Sequence, residues 1–257
     1  MKRIRIIPVL LLQNKGLVKT INFKNPTYIG DPINAVKIFN EKEVDELVFL
    51  DIEATNKNQE PNYNTIEEIA SECFMPLGYG GGIKNIEQIK KIFAIGVEKV
   101  IINSSAYFTP NLISEAAKIY GNQSIVVSVD VKKDFFGKYN CFINTGKTKI
   151  KYKLIEYLKL LEDKGAGEII VTSIDREGTF KGFDIELIKS VTQTVNIPIV
   201  ANGGAGKIED FAEVILTGGA SAVAAGSLFV YKSMNRGVLI NYPSQTELKD
   251  KIFSKID

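Results

Sequence analysis

A chain of 257 residues, 45% hydrophobic and 24% charged, has apolar material for one large core without disulfide or metal staples. Its 32 basic and 30 acidic residues leave a net charge of +2, and no basic tail or charge block marks nucleic acid or a membrane as the main partner. Histidine is absent, which excludes Ser-His-Asp and Cys-His nucleophiles and His-ligated metal sites; acid/base work falls to Asp, Glu, Lys, Tyr or Cys, and no metal or cofactor is called for.

The N-terminal run MKRIRIIPVLLL has a faintly leader-like character, but it is short, carries Pro8 and lacks a small-residue cleavage site, so it reads as a strand. Further β-branched runs follow at 46–52, 75–80, 99–103, 124–130, 168–174, 197–201 and 221–226. Amphipathic helical stretches lie between them, among them 31–42, 85–96, 152–165 and 184–195. Asp31 with Pro32, and Asp184, are placed as helix N-terminal residues; Gly96, Gly165 and Gly218 are placed as C-terminal glycines. The segment 131–150, with a hairpin turn at Gly137, reads as a loop after the fifth strand. No apolar run approaches the ~20 residues that span a bilayer. Cys73 and Cys141 fall in no metal or redox spacing and suit free thiols in the cytoplasm.

Eight βα alternations with near-continuously apolar strands predict a parallel sheet closed as a (β/α)8 TIM barrel, one domain over 1–257. The chain also repeats itself. Residues 79–108 match 201–230 without a gap, with Gly81 on Gly203, Gly96 on Gly218 and Ser105 on Ser227, each 122 apart. The match extends upstream, 45–55 falling on 167–177. Two half-barrels, about 1–122 and 123–257, are therefore expected.

Gly80-Gly81-Gly82 and Gly203-Gly204-Ala205-Gly206 each follow a strand and precede a helix. Such loops let backbone N–H groups approach an oxyanion, and hydroxyls at Ser104, Ser105 and Ser227 stand at neighbouring strand ends. Two cradles across one barrel mouth suit a long ligand with a phosphate at each end.

At RIIPVLLLQNKGLVKT, DELVFLDI, YGGGI, EKVIIN, VVSVD, GAGEIIVTSIDREGT, NGGAGKIEDF and AAGSLF the chain resembles the cyclase subunit of imidazole glycerol phosphate synthase, from about Arg3 to Tyr231. The resemblance implies an active site at the C-terminal face and a glutaminase (HisH-type) subunit on the N-terminal face that sends ammonia through the barrel. It implies phosphate or substrate contacts at Lys19 on a mobile first loop, Gly82, Asn103, Ser104, Thr172, Gly178, Gly203, Gly204, Gly226 and Ser227. It implies an ammonia gate of Arg5, Glu46, Lys99 and Glu168 at the barrel floor, with Glu98 and Gln123 near the partner interface. Asp130 matches one of two family catalytic aspartates; the other falls on Leu11, which cannot carry a proton. The repeat places the same gap, since IIPVLL (6–11) falls on IVVSVD (125–130). Losing a general acid or base typically costs ~10²–10⁴ in rate. Asp51, Asp175 and Glu177 lie at strand ends as substitutes.

A kept floor, kept cradles and a lost carboxylate, with VLINYPS (238–244), resemble the glycosyl-amidation-associated branch of that family. That branch implies ammonia delivery to a third, amidating protein in surface-polysaccharide biosynthesis. The alternatives are a working cyclase of histidine biosynthesis that uses Asp51, Asp175 or water, and a non-catalytic scaffold that activates the glutaminase. A sugar-phosphate isomerase also fits the paired cradles, although a matched carboxylate pair is missing.

Overall fold

The computed structural model describes residues 4–233 and 235–256; Met1 to Arg3, where the leader-like run and the family match begin, lie outside the described residues. The strands are β1 Arg5–Gln13, β2 Gly16–Ile21, β3 Lys24–Gly30, β4 Leu47–Asp51, β5 Leu77–Gly80, β6 Lys99–Ile102, β7 Ile125–Lys133, β8 Tyr139–Ile143, β9 Thr148–Lys153, β10 Glu168–Ser173, β11 Ile199–Asn202 and β12 Ala222–Ala225. The helices are α1 Pro32–Glu41, α2 Tyr63–Glu72, α3 Ile86–Ile95, α4 Ser104–Phe108, α5 Asn111–Tyr120, α6 Leu154–Asp163, α7 Ile185–Thr192, α8 Glu209–Leu216, α9 Ser227–Val230, α10 Gln245–Leu248 and α11 Ser254–Ile256.

Eight strands pair in parallel in the order β10-β11-β12-β1-β4-β5-β6-β7, and β7 pairs back onto β10, so the barrel is closed. The result is the (β/α)8 barrel that the alternation of elements predicts. Closure leaves no open edge among the eight, and the helices cover the outside through a large apolar layer.

Asp31 and Asp184 cap α1 and α7, accepting hydrogen bonds from Asn34 N (3.0 Å) and Leu187 N (3.1 Å). Gly96 ends α3 in the left-handed region and Gly165 has a positive φ just past α6. Gly218 is a correction: the left-handed residue after α8 is Gly219, because the C-cap Thr217 keeps right-handed helical angles and Gly218 has no positive φ.

The two segments read as loops are also corrected. β1 and β7 each run for nine residues, past the barrel rim, and each leads into an antiparallel pair, β2–β3 and β8–β9. Alternation in these segments is short and broken by lysines and asparagines, so the pairing is visible only once the overshooting strand supplies an edge. Gly137 turns the chain between β7 and β8 as expected, and a second turn at 144–147 joins β8 to β9.

The half-barrel repeat carries into backbone geometry. Gly81 and Gly203 have φ values of 127° and 89°. A Cβ on Gly81 would lie 2.6 Å from the Asp51 carbonyl oxygen, and one on Gly203 would lie 2.8 Å from that of Ser173. Asp51 and Ser173 are themselves 122 apart. Both positions need glycine for one reason: the loop crosses the end of the preceding barrel strand at backbone contact distance.

Candidate functional site

Strand alternation builds the barrel interior. Every second residue of a barrel strand points inward, so β1 contributes Arg5, Ile7, Val9 and Leu11 in turn. Glu46, Val48 and Leu50 follow the same order along β4, Lys99, Ile101 and Asn103 along β6, and Glu168, Ile170 and Thr172 along β10. Each of these four rows starts with a charge, passes through aliphatic side chains and ends at the C-terminal mouth.

The four charges meet at the floor. Lys99 Nζ lies 2.8 Å from Glu46 Oε2 and 3.1 Å from Glu168 Oε2. Arg5 is paired with both Glu46 and Glu168. Both carboxylates are buried, while the Arg5 and Lys99 side chains remain 28% and 19% exposed. Burial alone would lower the Arg5 pKa; its contacts with Glu168 and Glu46 outweigh that and raise it. Two cations and two anions thus close a ring across the axis, with the desolvation of each ion offset by two partners. Glu98 and Gln123 line one groove beside Lys99 on this outer face.

Above the floor, Ile7, Val9, Val48, Ile101, Val126, Ile170, Val200, Ala222 and Ala224 fill the axis as a separate apolar cluster, with Leu11 and Leu50 against its upper side. The mouth cavity opens beyond it. Its lining includes Leu11, Lys19, Asp51, Gly82, Asn103, Ser104, Asp130, Thr172, Gly178, Gly203, Gly204, Gly226 and Ser227. Asp175 does not join them: its Oδ2 accepts a hydrogen bond from Lys133 N (2.8 Å) on the outer side of the mouth. The turn after β10 sends Asp175 outward and brings Glu177 in, so the substitute carboxylates narrow to Asp51 and Glu177.

Asp130 is buried at the end of the inward row of β7. Burial pushes its pKa up to about 7, against hydrogen bonds from Ser128 and Asn103 that lower it. Asn103 Nδ2 lies 3.1 Å from Asp130 Oδ2. A carboxyl that titrates near neutrality can both give and take a proton at physiological pH. Leu11 ends the inward row of β1. Three strands separate β1 from β7 in either direction round the barrel, so Leu11 and Asp130 stand across the mouth from each other.

Lys19 belongs to β2 rather than to a loop, and the β2–β3 pair lies over the mouth. The amine is buried and paired with Glu177, which also accepts from Thr20 Oγ1 and Phe23 N, both at 3.1 Å. Burial, then the Arg236 guanidinium, pulls the Lys19 pKa down to about 7. The bare Cα of Gly226 makes room for this side chain, since a Cβ there would lie 3.0 Å from Lys19 Cε.

The two cradles differ. In the first, Ser104 Oγ meets Asn144 Oδ1 and Asn144 N, both at 3.1 Å, and Asn103 is engaged with Asp130. In the second, Ser227 Oγ is buried, lines the cavity and has no hydrogen-bond partner among the described residues. An unpaired buried hydroxyl beside Gly203, Gly204 and Gly226 is poised for an external oxyanion.

With this geometry established, the chain matches the model of the family described as "Histidine biosynthesis protein" over residues 5–235. The chain belongs to the HisF-type family of imidazole glycerol phosphate synthase subunits. It is 51% identical over 248 residues to a Pseudomonas aeruginosa protein named "Putative imidazole glycerol phosphate synthase subunit hisF2", covering 96% of this chain and 99% of that one. It is likewise 51% identical over 254 residues to a Leptospira borgpetersenii protein named "Putative imidazole glycerol phosphate synthase subunit HisF", covering 98% and 100%. To a Clostridium botulinum protein named "Imidazole glycerol phosphate synthase subunit HisF" it is 41% identical over 252 residues, covering 97% of each.

Within this HisF-type barrel, three cavity residues escape a motif-based reading: Ser128, Glu177 in its role as partner of Lys19, and Asn202, which donates to Thr172 Oγ1 at 3.0 Å. Counting back by two from Asp130 finds Ser128, and pairing Thr172 with its neighbour on β11 finds Asn202. No local signal pairs Glu177 with Lys19, because they are 158 residues apart.

Proposed function

We propose that this chain is the ammonia-receiving barrel of a two-subunit glutamine amidotransferase. Its glutaminase partner docks on the groove of Glu98 and Gln123 below the Arg5–Glu46–Lys99–Glu168 ring. The ring admits ammonia, and the apolar axis passes the neutral molecule, because an ammonium ion would leave its hydration behind there. At the mouth a phosphorylated ligand rests on Gly203, Gly204, Gly226 and Ser227, with the first cradle opening to a second phosphate. With Asp130 on one side and Leu11 on the other, only one of the two proton-transfer groups that imidazole ring closure needs is present. The ammonia is handed on, through a third protein, to amidate a sugar of surface-polysaccharide biosynthesis.

The observation that carries this reading is the contrast along the one inward row of β1, with Arg5 seated in a complete floor ring and Leu11 at the mouth. The test is ammonium-driven turnover of the bisphosphorylated histidine-pathway substrate by the purified chain and by Leu11→Asp. The expected result is background turnover for the wild type and a gain of about 10²-fold or more for the variant. Efficient wild-type turnover overturns it.

One observation favours a second reading, a working cyclase. Asp51 lines the cavity next to Leu50, and its Oδ1 is held by Glu53 N (2.9 Å) and Ala54 N (3.0 Å), which fixes a carboxylate at the mouth on the strand beside β1. Under this reading Asp51→Asn abolishes turnover that the wild type shows.

A further inference from the structure

The β7–β8–β9 sheet stands above the mouth end of the barrel and carries a charge that the net value conceals. Between Val131 and Lys153 there are seven lysines and one aspartate, a net +6 in a chain whose total is +2. The remainder of the chain is therefore net acidic. Along the sequence these lysines are spaced by apolar and small polar residues and form no run. Strand pairing folds that spacing into one compact sheet, with Ile150 and Cys141 buried beneath it. Lys133 and Lys153 have carboxylate neighbours in Asp184, Glu186 and Glu156. Lys132, Lys138, Lys147, Lys149 and Lys151 form no ion pair among the described residues.

At the apex of the sheet, Phe135 and Phe136 are 96% and 91% exposed and touch each other edge to face. They are the two most exposed large apolar side chains among the described residues. The turn that presents them is fixed: Asp134 Oδ1 accepts from Phe136 N (3.0 Å) and Lys138 N (2.9 Å), and Asp134 N donates to Lys138 O (2.9 Å). Exposed Tyr28, Phe108 and Tyr152 also lie on segments that follow strand ends on the mouth side, whereas Phe74 lies at the opposite end, before β5.

We infer that this sheet is a docking surface for an anionic lipid bilayer, with Phe135 and Phe136 inserted at the headgroup level and the unpaired lysines held over the acidic headgroups. Two aromatic side chains on a projecting apex suit a soft planar interface, where amphipathic rings and lysines are both favourable. They do not form the groove with spaced stacking platforms that single-stranded nucleic acid needs. Among the described residues no helix is long and apolar enough to cross a membrane; the inferred attachment is peripheral and turns the barrel mouth toward the bilayer.

The chain has no tryptophan, so Phe135→Trp places a single indole at the apex. Its emission is followed as vesicles of phosphatidylcholine alone, or with about one-third phosphatidylglycerol, are added at low and high salt. A blue shift and co-sedimentation with the anionic vesicles are expected, absent with phosphatidylcholine and weakened by salt. Lys149→Glu with Lys151→Glu, and separately Phe135→Ser with Phe136→Ser, are each expected to weaken sedimentation by about tenfold or more. These positions are exposed, so the variants fold, and circular dichroism verifies it. Phe74→Ser is expected to bind as the wild type does. The inference is overturned by no shift with anionic vesicles, by a shift seen only with an oligonucleotide or an acidic polypeptide, or by equal loss in the Phe74 variant.

Discussion

The two half-barrels share a backbone plan and divide the chemistry. Each begins with a nine-residue strand that overshoots the rim into a hairpin, and each has a glycine loop crossing the end of a neighbouring strand. At the floor, Glu46 and Glu168 are repeat mates, but both cations, Arg5 and Lys99, come from the first half; the second half has Ser124 and Ser221 at the matching positions. At the mouth the imbalance reverses. The second half supplies Asp130 and the unpaired Ser227, and the first supplies Leu11 and, at the mate of Ser227, a Ser105 whose hydroxyl already donates to Ile83 O. A duplicated scaffold thus holds matched positions in matched geometry while the residues on them differ, because the backbone constraint acts on glycines and the inward row, not on the chemistry of the row's ends.

Breaking the floor tests the first asymmetry. Arg5→Ala leaves two buried carboxylates sharing Lys99 alone and is expected to cost about 3 kcal/mol in urea unfolding. A loss below about 1 kcal/mol would show that water replaces the guanidinium and that the ring is open to solvent. The glycine mates test the shared plan. Gly81→Ala and Gly203→Ala should each cost about 2 kcal/mol, within experimental error of one another, through positive φ and a blocked carbonyl. Unequal costs would mean that only one half retains the close crossing.

Titration sharpens the contrast between Asp130 and Leu11. Asp130 holds its proton to about pH 7 folded, against an ordinary value of 3.8, so between those values the folded state binds more protons than the unfolded state. Stability from this group is therefore greatest at the acid end and falls as pH rises toward 7. Thermal melts should show Asp130→Asn gaining on the wild type as pH is raised from 5 to 8, by several degrees. Leu11→Asp, which builds a second such site, should steepen the wild-type slope. The smallest effect concerns the cradles. Titration with inorganic phosphate should be weakened several-fold by Ser227→Ala and hardly at all by Ser104→Ala, since only the first hydroxyl is unpaired.

Much of this protein is legible in the chain alone. Eight apolar runs with helical spacers point to a parallel sheet covered by helices, because parallel strands buried on both faces are continuously apolar, and the count of eight βα units points to a barrel. The repeat fixes which glycines and serines correspond, and it exposes Leu11 as the odd member opposite Asp130. Tertiary structure decided the rest. Arg5, Glu46, Lys99 and Glu168 become one ring only when the closing contact of β7 on β10 brings distant strands round the axis. Asp175 turns outward and Glu177 inward by the path of a single turn, which no periodicity encodes. The lysines of 131–153 become a surface only when two hairpins fold them side by side. Charge and hydropathy along a chain report local spacing, whereas pairing register and closure set which distant side chains share a dielectric environment, and that sharing makes the site.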